Sequence, residues 1–184
     1  NLFKKEIKNF DKIEIAGPGF INIKLSKVAI IENINSILKN GKLYGSNKSN
    51  ETYNIEFVSA NPTGPMHVGH CRGAIYGDVL ANLLKFNGNS VTKEYYINDY
   101  GNQIKNFVMS VYLRIREIKF GEKFSIKKNL YPGIYIKEIA QNIINKNKDI
   151  IFDDQEKISE FLKEKSLKES MEIIKNDLKL LGIS

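Results

Sequence analysis

Ile55-Glu56-Phe57-Val58-Ser59-Ala60-Asn61-Pro62-Thr63-Gly64-Pro65-Met66-His67-Val68-Gly69-His70 is the stretch on which the reading of this chain turns. Its opening belongs to the run Tyr53–Val58, which is rich in aromatic and β-branched residues and predicts a short strand. Ala60–Pro65 cannot be helical, because two prolines and a glycine interrupt it. A helix is predicted from Val68 to about Phe86, with Ile75, Val79, Leu83 and Phe86 recurring on one side. Gly88 stops it, and Ser90–Ile97 returns as a second strand. Strand, loop, helix and strand in that order make a βαβ unit. Such units build parallel sheets whose ligands sit at the carboxyl ends of the strands.

The loop therefore delivers His67, Gly69 and His70 to the start of a helix. A helix N-terminus presents free N–H groups and the positive end of a dipole, so it favours phosphate. His67 and His70, three residues apart, share the first turn. Gly69 carries no side chain and lets a flat ring or a phosphate approach the backbone. Such a site suits attack of a carboxylate on a nucleotide α-phosphate. Charge then grows on phosphoryl oxygens, and histidines that donate hydrogen bonds can stabilise it. Two plainer readings stand beside this one. The pair could bind a metal, but the chain has only 2 histidines and one cysteine, so no metal site is expected. The histidines could also simply cap or pack the helix.

Outward from this centre, Lys12–Ala16 and Phe20–Leu25 read as a hairpin joined at Gly17-Pro18-Gly19. Ser26 is the expected N-cap of a helix to about Leu38, ended by Gly41. Gly45–Asn50 reads as a linker. Downstream, Asp99 is the expected cap of a helix to about Ile118. Pro132–Asn147 and Gln155–Leu181 are two more helices, the last with an irregularity near Ser166. The domain boundary is placed after residue 48.

Composition narrows the class. A 42% hydrophobic share can fill a core, and no run approaches the roughly 20 apolar residues of a membrane span. The lone Cys71 excludes an internal disulfide, points to a reducing cytoplasm and is expected to pack as a small apolar residue. Tyr76 and Asp78 are expected to be structural. A formal charge of +7 favours polyanions, although the richness in Lys, Asn and Ile can reflect the base composition of the genome as easily as function. The start at Asn1-Leu2-Phe3-Lys4-Lys5 reads as a cut inside a longer chain.

His67-Val68-Gly69-His70 resembles the HIGH signature of class I aminoacyl-tRNA synthetases, with Val in place of Ile. Its flanks resemble the arginyl-tRNA synthetase family in particular. Glu56–Pro65 looks like that family's approach to the signature. Tyr96-Ile97-Asn98-Asp99-Tyr100-Gly101-Asn102-Gln103 is similar to its Asp-aromatic-Gly-x-Gln segment. Ala16–Asn22 matches the end of its extra amino-terminal domain, and Tyr131-Pro132-Gly133 with Tyr135-Ile136 resembles a bacterial branch.

The resemblance implies an incomplete Rossmann-type α/β catalytic domain with a helical insertion, preceded by the end of a small α+β domain. It implies an arginine–tRNA ligase that takes ATP with Mg2+, L-arginine and tRNA(Arg), is monomeric when intact, has no membrane partner, and needs tRNA bound before it activates arginine. Glu56 would recognise the guanidinium, a planar five-donor cation suited to a carboxylate, with a structural ion pair to a lysine as the alternative; its place near the end of a strand expected to be buried makes an unpaired carboxylate costly. Asn61 would contact the amino-acid backbone and Ser59 the α-ammonium, with loop capping as the alternative for both. His67, Gly69 and His70 would hold ATP, with the two histidines catalytic and His70 nearest arginine. Asp99 and Gln103 could line the site. No KMSKS-like loop or anticodon-binding domain is visible, so residues 1–184 alone are expected to be inactive. The rivals are a small nucleotidyltransferase with a similar signature and a non-catalytic basic tRNA-binding module.

Overall fold

The computed structural model describes residues 9–125 and 128–184; the opening Asn1–Lys5 lies outside them. The chain divides into two compact units between Ser49 and Asn50.

In the first unit, β1 (Phe10–Ala16) and β2 (Phe20–Leu25) pair antiparallel, from Phe10 opposite Leu25 to Ala16 opposite Phe20. Gly17 and Gly19, at φ of 55° and 125°, make the turn between them. Helix α1 (Lys27–Asn40) follows, and the Ser26 hydroxyl accepts the Ala29 N–H at 3.1 Å, as its position in the sequence predicts. Gly41 closes the helix and opens a short 3-10 turn to Leu43.

The second unit begins with β3 (Thr52–Glu56), α2 (Val68–Phe86) and β4 (Ser90–Glu94). The strands pair parallel, Thr52 opposite Ser90 and Glu56 opposite Glu94, so the βαβ reading is realised. Both strands stop short of expectation. After Glu56 only the Phe57 N–H continues the ladder, donating to the Glu94 carbonyl at 3.2 Å. Val58 and Ser59 then adopt φ of 66° and 41° and turn the chain off the sheet. Positive φ is uncommon for any residue with a side chain and costly for a β-branched one, which is why a strand to Val58 was the natural expectation.

The face of α2 that packs is also not its large apolar stripe. Ala74, Gly77 and Ala81 are buried, while Ile75, Val79, Leu83 and Phe86 are 40–55% exposed. Close approach explains the choice of small residues. A methyl group placed on Gly77 would lie 2.3 Å from the Phe57 ring.

Three helices complete the unit: α3 (Asn102–Phe120), α4 (Ile134–Lys146) and α5 (Gln155–Leu180). Asp99 does not cap α3. Gly101 does, at φ of 99°, without any side-chain bond, because the chain stays irregular from Tyr95 to Gly101. Asp154 caps α5 through the Glu156 and Lys157 N–H groups. Helix α5 runs through Ser166 without a break; that serine is fully buried, its small side chain letting the helix lie close to its neighbours. The core lies among these helices: Phe107, Val111 and Ile115 of α3, Ile136, Ile139 and Ile143 of α4, and Leu162 of α5, with Phe152 closing one end. Among the described residues no helix is long and apolar enough to cross a membrane.

Candidate active site

The loop that leaves β3 leads into the first turn of α2, where the two histidines stand. His67 occupies the N-cap of α2. Its Nδ1 accepts the N–H groups of Gly69 and His70 at 3.1 and 3.3 Å, and the Nδ1 of His70 accepts the His67 N–H at 3.4 Å. The two imidazoles thus form a reciprocal capping box, a role normally taken by a hydroxyl and a carboxylate. They stack with centroids 3.7 Å apart and planes 15° from parallel.

This arrangement decides the chemistry of the rings. A nitrogen that accepts a hydrogen bond carries no proton, so a neutral ring here bears its proton on Nε2. Each histidine therefore caps the helix with one nitrogen and keeps an N–H donor on the other. Partial burial, and secondarily the His67 ring beside it, lower the pKa of His70 from its usual 6.5. Its neutral, Nε2–H form is thereby favoured at physiological pH. Capping and phosphate binding are not competing explanations for these residues. Gly69 is required for a further reason: a methyl group on it would meet the His67 ring at 2.9 Å and displace the cap.

Polar contacts from several elements hold the loop before the histidines. The Tyr95 hydroxyl donates to the Ala60 carbonyl at 2.8 Å, and burial raises the pKa of that phenol. Asn61 donates to the Gln103 side chain at 2.5 Å and accepts from that of Asn98 at 3.1 Å. The Tyr135 hydroxyl donates to the Thr63 carbonyl at 3.0 Å. The Met66 N–H donates to the Asp177 carboxylate at 2.9 Å.

A cleft of about 450 Å³ opens beside the rings, lined by Asn61, Thr63, Gly64, Pro65, His67, His70, Gln103, Tyr131 and Tyr135. It gathers three of the sequence-selected residues, Asn61, His67 and His70, with Gln103. Glu56, Ser59 and Gly69 do not line it. Glu56 is exposed, not buried as expected; among the described residues β3 pairs only with β4. Its carboxylate accepts from the Ser59 hydroxyl at 2.7 Å, and the same hydroxyl accepts the Tyr96 N–H at 3.1 Å. Ser59 thus ties the tip of β3 to the chain leaving β4. Asp99 lines a separate cavity of about 480 Å³ between the N-terminal ends of α3 and α5, which contains none of the signature residues. Sequence reasoning did not select Thr63, Tyr131, Tyr135 or Asp177 as site residues. The tyrosines were visible only as part of a family resemblance, and Asp177 left no local signal, being 111 residues from its partner.

Residues 33–164 match the family model for tRNA synthetases class I (R), catalytic domain, which is well over half the chain. The chain belongs to that family. Among similar proteins, the arginine–tRNA ligase of Pelagibacter ubique is 55% identical over 99% of this chain and 32% of its own length. That of Wolbachia sp. subsp. Brugia malayi is 49% identical over 100% of this chain and 33% of its own. A solved arginyl-tRNA synthetase structure from Campylobacter jejuni superposes with a TM-score of 0.75 at 34% identity, covering 87% of this chain and 35% of that one. The chain thus spans about a third of the length of the curated relatives it matches. As a class I synthetase catalytic-domain chain it carries mixed α/β structure and only part of that domain.

Proposed function

We propose that the intact protein is an arginine–tRNA ligase, and that this chain supplies the signature half of its adenylation site. The observation that carries the reading is the pair of stacked histidines. Their Nδ1 atoms are consumed in capping α2, and their remaining N–H donors stand beside a cleft walled by Asn61 and Gln103. In the proposed reaction the arginine carboxylate attacks the α-phosphorus of ATP, pyrophosphate leaves, and the adenylate then passes arginine to tRNA(Arg). His67 and His70 donate to phosphoryl oxygens as charge accumulates there. The start of α2, with Gly69 at its first turn, adds the favourable end of the helix dipole. Asn61 holds the amino-acid backbone, Glu56 takes the guanidinium, and Ser59, beyond fixing Glu56, is offered for the α-ammonium.

Among the described residues no group of three His, Cys, Asp or Glu side chains could hold a metal ion. Magnesium is read as arriving with ATP and held mainly by its phosphates, while these residues contribute hydrogen bonds and position. The rival nucleotidyltransferase and RNA-module readings are not favoured by the family match and the relatives. Residues 1–48 are assigned to the end of an amino-terminal domain, and a cytoplasmic, monomeric protein is the accompanying proposal.

ATP–pyrophosphate exchange by the intact protein tests this reading. It should require L-arginine and tRNA. Glu56→Ala should raise the arginine KM by about 10-fold or more, the scale of a lost charged hydrogen bond, with a much smaller change for ATP. Equal effects on both substrates would remove Glu56 from guanidinium recognition. Residues 1–184 alone should show no charging of tRNA.

A further inference from the structure

Asp177 stands where a carboxylate is not helped by its own helix. It lies in the last turn of α5, at the negative end of the dipole, and its backbone carbonyl accepts the Leu181 N–H. It is half-buried, and among the described residues it forms no ion pair. Its hydrogen bond goes to the Met66 N–H at 2.9 Å, one residue before the histidine that caps α2. Three residues earlier, Tyr135 of α4 takes hold of the same loop. Its hydroxyl donates to the Thr63 carbonyl at 3.0 Å, and its ring lies so close to Gly64 that a methyl group there would meet it at 2.8 Å.

The two contacts bracket the Gly64-Pro65 turn from opposite ends. One is an acceptor for a backbone donor and the other a donor for a backbone acceptor, so together they fix both the position and the rotation of the peptide planes. Helices α4 and α5 belong to the packed core, which gives both side chains rigid mounts. The first turn of α2 follows directly, and the aim of its two imidazoles depends on the entry angle of residues 63–66. We propose that Asp177, with Tyr135 as its counterpart, is a positioning residue for adenylation: it sets the aim of His67 and His70 through the Met66 N–H. This rests on the adenylation reading above. Neither residue takes or gives a proton, and their effect is on where the histidine donors meet the phosphoryl oxygens. A displacement of about 1 Å at a reacting centre is enough to slow chemistry about 100-fold.

The test uses the full-length protein and compares Asp177→Ala, Asp177→Asn and Tyr135→Phe in arginine-dependent ATP–pyrophosphate exchange, with thermal melts alongside. Asp177→Ala should lower kcat about 10- to 100-fold, the scale of a lost hydrogen bond to a charged group, and leave the arginine KM within about 2-fold. Asp177→Asn retains a carbonyl oxygen at the same place and should recover most of the rate. A purely structural role would instead lower the melting temperature and spare kcat in the folded protein. Unchanged kcat in folded Asp177→Ala, or an Asn variant as slow as the Ala variant, overturns the proposal. Should Asp177→Ala fail to fold, Tyr135→Phe decides: kcat should fall about 2- to 10-fold with little change in melting, and an unaltered rate overturns it. Absence of arginine-dependent exchange in the unaltered protein is a separate result. It defeats the adenylation reading itself, and the positioning role with it.

Discussion

The start of α2 and the bundle of α3, α4 and α5 lie in one compact unit, yet they are held by different forces. In the bundle, Phe107, Val111, Ile115, Ile136, Ile139 and Ile143 are 0–1% exposed, and burial of apolar surface keeps the helices together. Along α2 only Ala74, Gly77 and Ala81 are buried, while Val68 and Tyr76 stand 88% and 74% exposed. The loop feeding α2 buries only Ala60 and Pro62 and is otherwise fixed by hydrogen bonds at Ala60, Asn61, Thr63 and Met66. Three of those five bonds come from the bundle helices, through Gln103, Tyr135 and Asp177. The end proposed for adenylation therefore takes much of its rigidity from the packed core of the bundle. This division suits a site whose polar groups must stay accessible to a charged substrate.

If this contrast is right, the largest stability loss belongs to the bundle. Phe107→Ala should cost about 3–5 kcal/mol in urea unfolding, because a large ring leaves a cavity among close-packed neighbours. Val79→Ala, on the open face of α2, should stay within about 0.5 kcal/mol of the parent. Similar losses from the two would abolish the distinction between the regions.

Next in size is the one place where α2 is packed tightly. Gly77→Ala should cost about 1–3 kcal/mol, since its methyl group must displace the Phe57 ring next to Glu56. Gly73→Ala, four residues earlier in the same helix with nothing within 4 Å, should be neutral or stabilising by up to about 1 kcal/mol. Calorimetric melts of the two variants give the comparison directly. A Gly73→Ala chain as unstable as Gly77→Ala would show that backbone conformation, not contact with Phe57, sets the requirement.

How much of this was legible in the sequence follows the same division. Local chemistry was readable. The prolines and glycine of Asn61–Pro65 broke the chain between strand and helix, and the Ser26 cap, the hairpin glycines and the parallel pairing of β3 and β4 all followed from short-range rules. Long-range choices were not. Nothing in Val58-Ser59 announces two left-handed residues, because that turn is imposed by the Tyr96 N–H on the Ser59 hydroxyl and by Phe57 lying against Gly77. The apolar stripe of α2 satisfied every periodicity rule and still pointed outward, since periodicity marks a face without saying what covers it. Asp99 looked like a cap, but the chain stays irregular to Gly101. The candidate histidines were identified by their place in the pattern; the use of Nδ1 for capping and the exposure of Glu56 required coordinates.

Smaller again is the cap itself. His67→Ala removes the acceptor for two N–H groups and should cost about 0.5–2 kcal/mol, and His67→Asn, a good N-cap residue, should restore most of it. In the intact protein the Asn variant should remain slow in exchange despite its recovered stability, because the amide does not reproduce the Nε2–H donor. Recovery of both stability and rate would reduce His67 to a cap.

The finest distinction concerns pH. The folded pKa of His70 lies below its usual 6.5, so the unfolded chain binds the proton more readily and unfolding takes up protons as the medium is acidified. Above about 6.5 the ring is neutral in both states and contributes no pH dependence. Stability should therefore fall as pH drops from about 6.5 toward the folded value, and level off below it, where both states are protonated. Protonation also removes the Nδ1 acceptor from the His67 N–H and puts positive charge at the positive end of α2, so the same acidification should loosen the helix start. Melting temperatures at pH 5 and 7.5 for the parent chain and for His70→Asn isolate this contribution, which is the part of the acid loss that the Asn variant lacks. If the two chains lose the same stability on acidification, the ring is not responsible, and the reciprocal cap is too weak to couple protonation to folding.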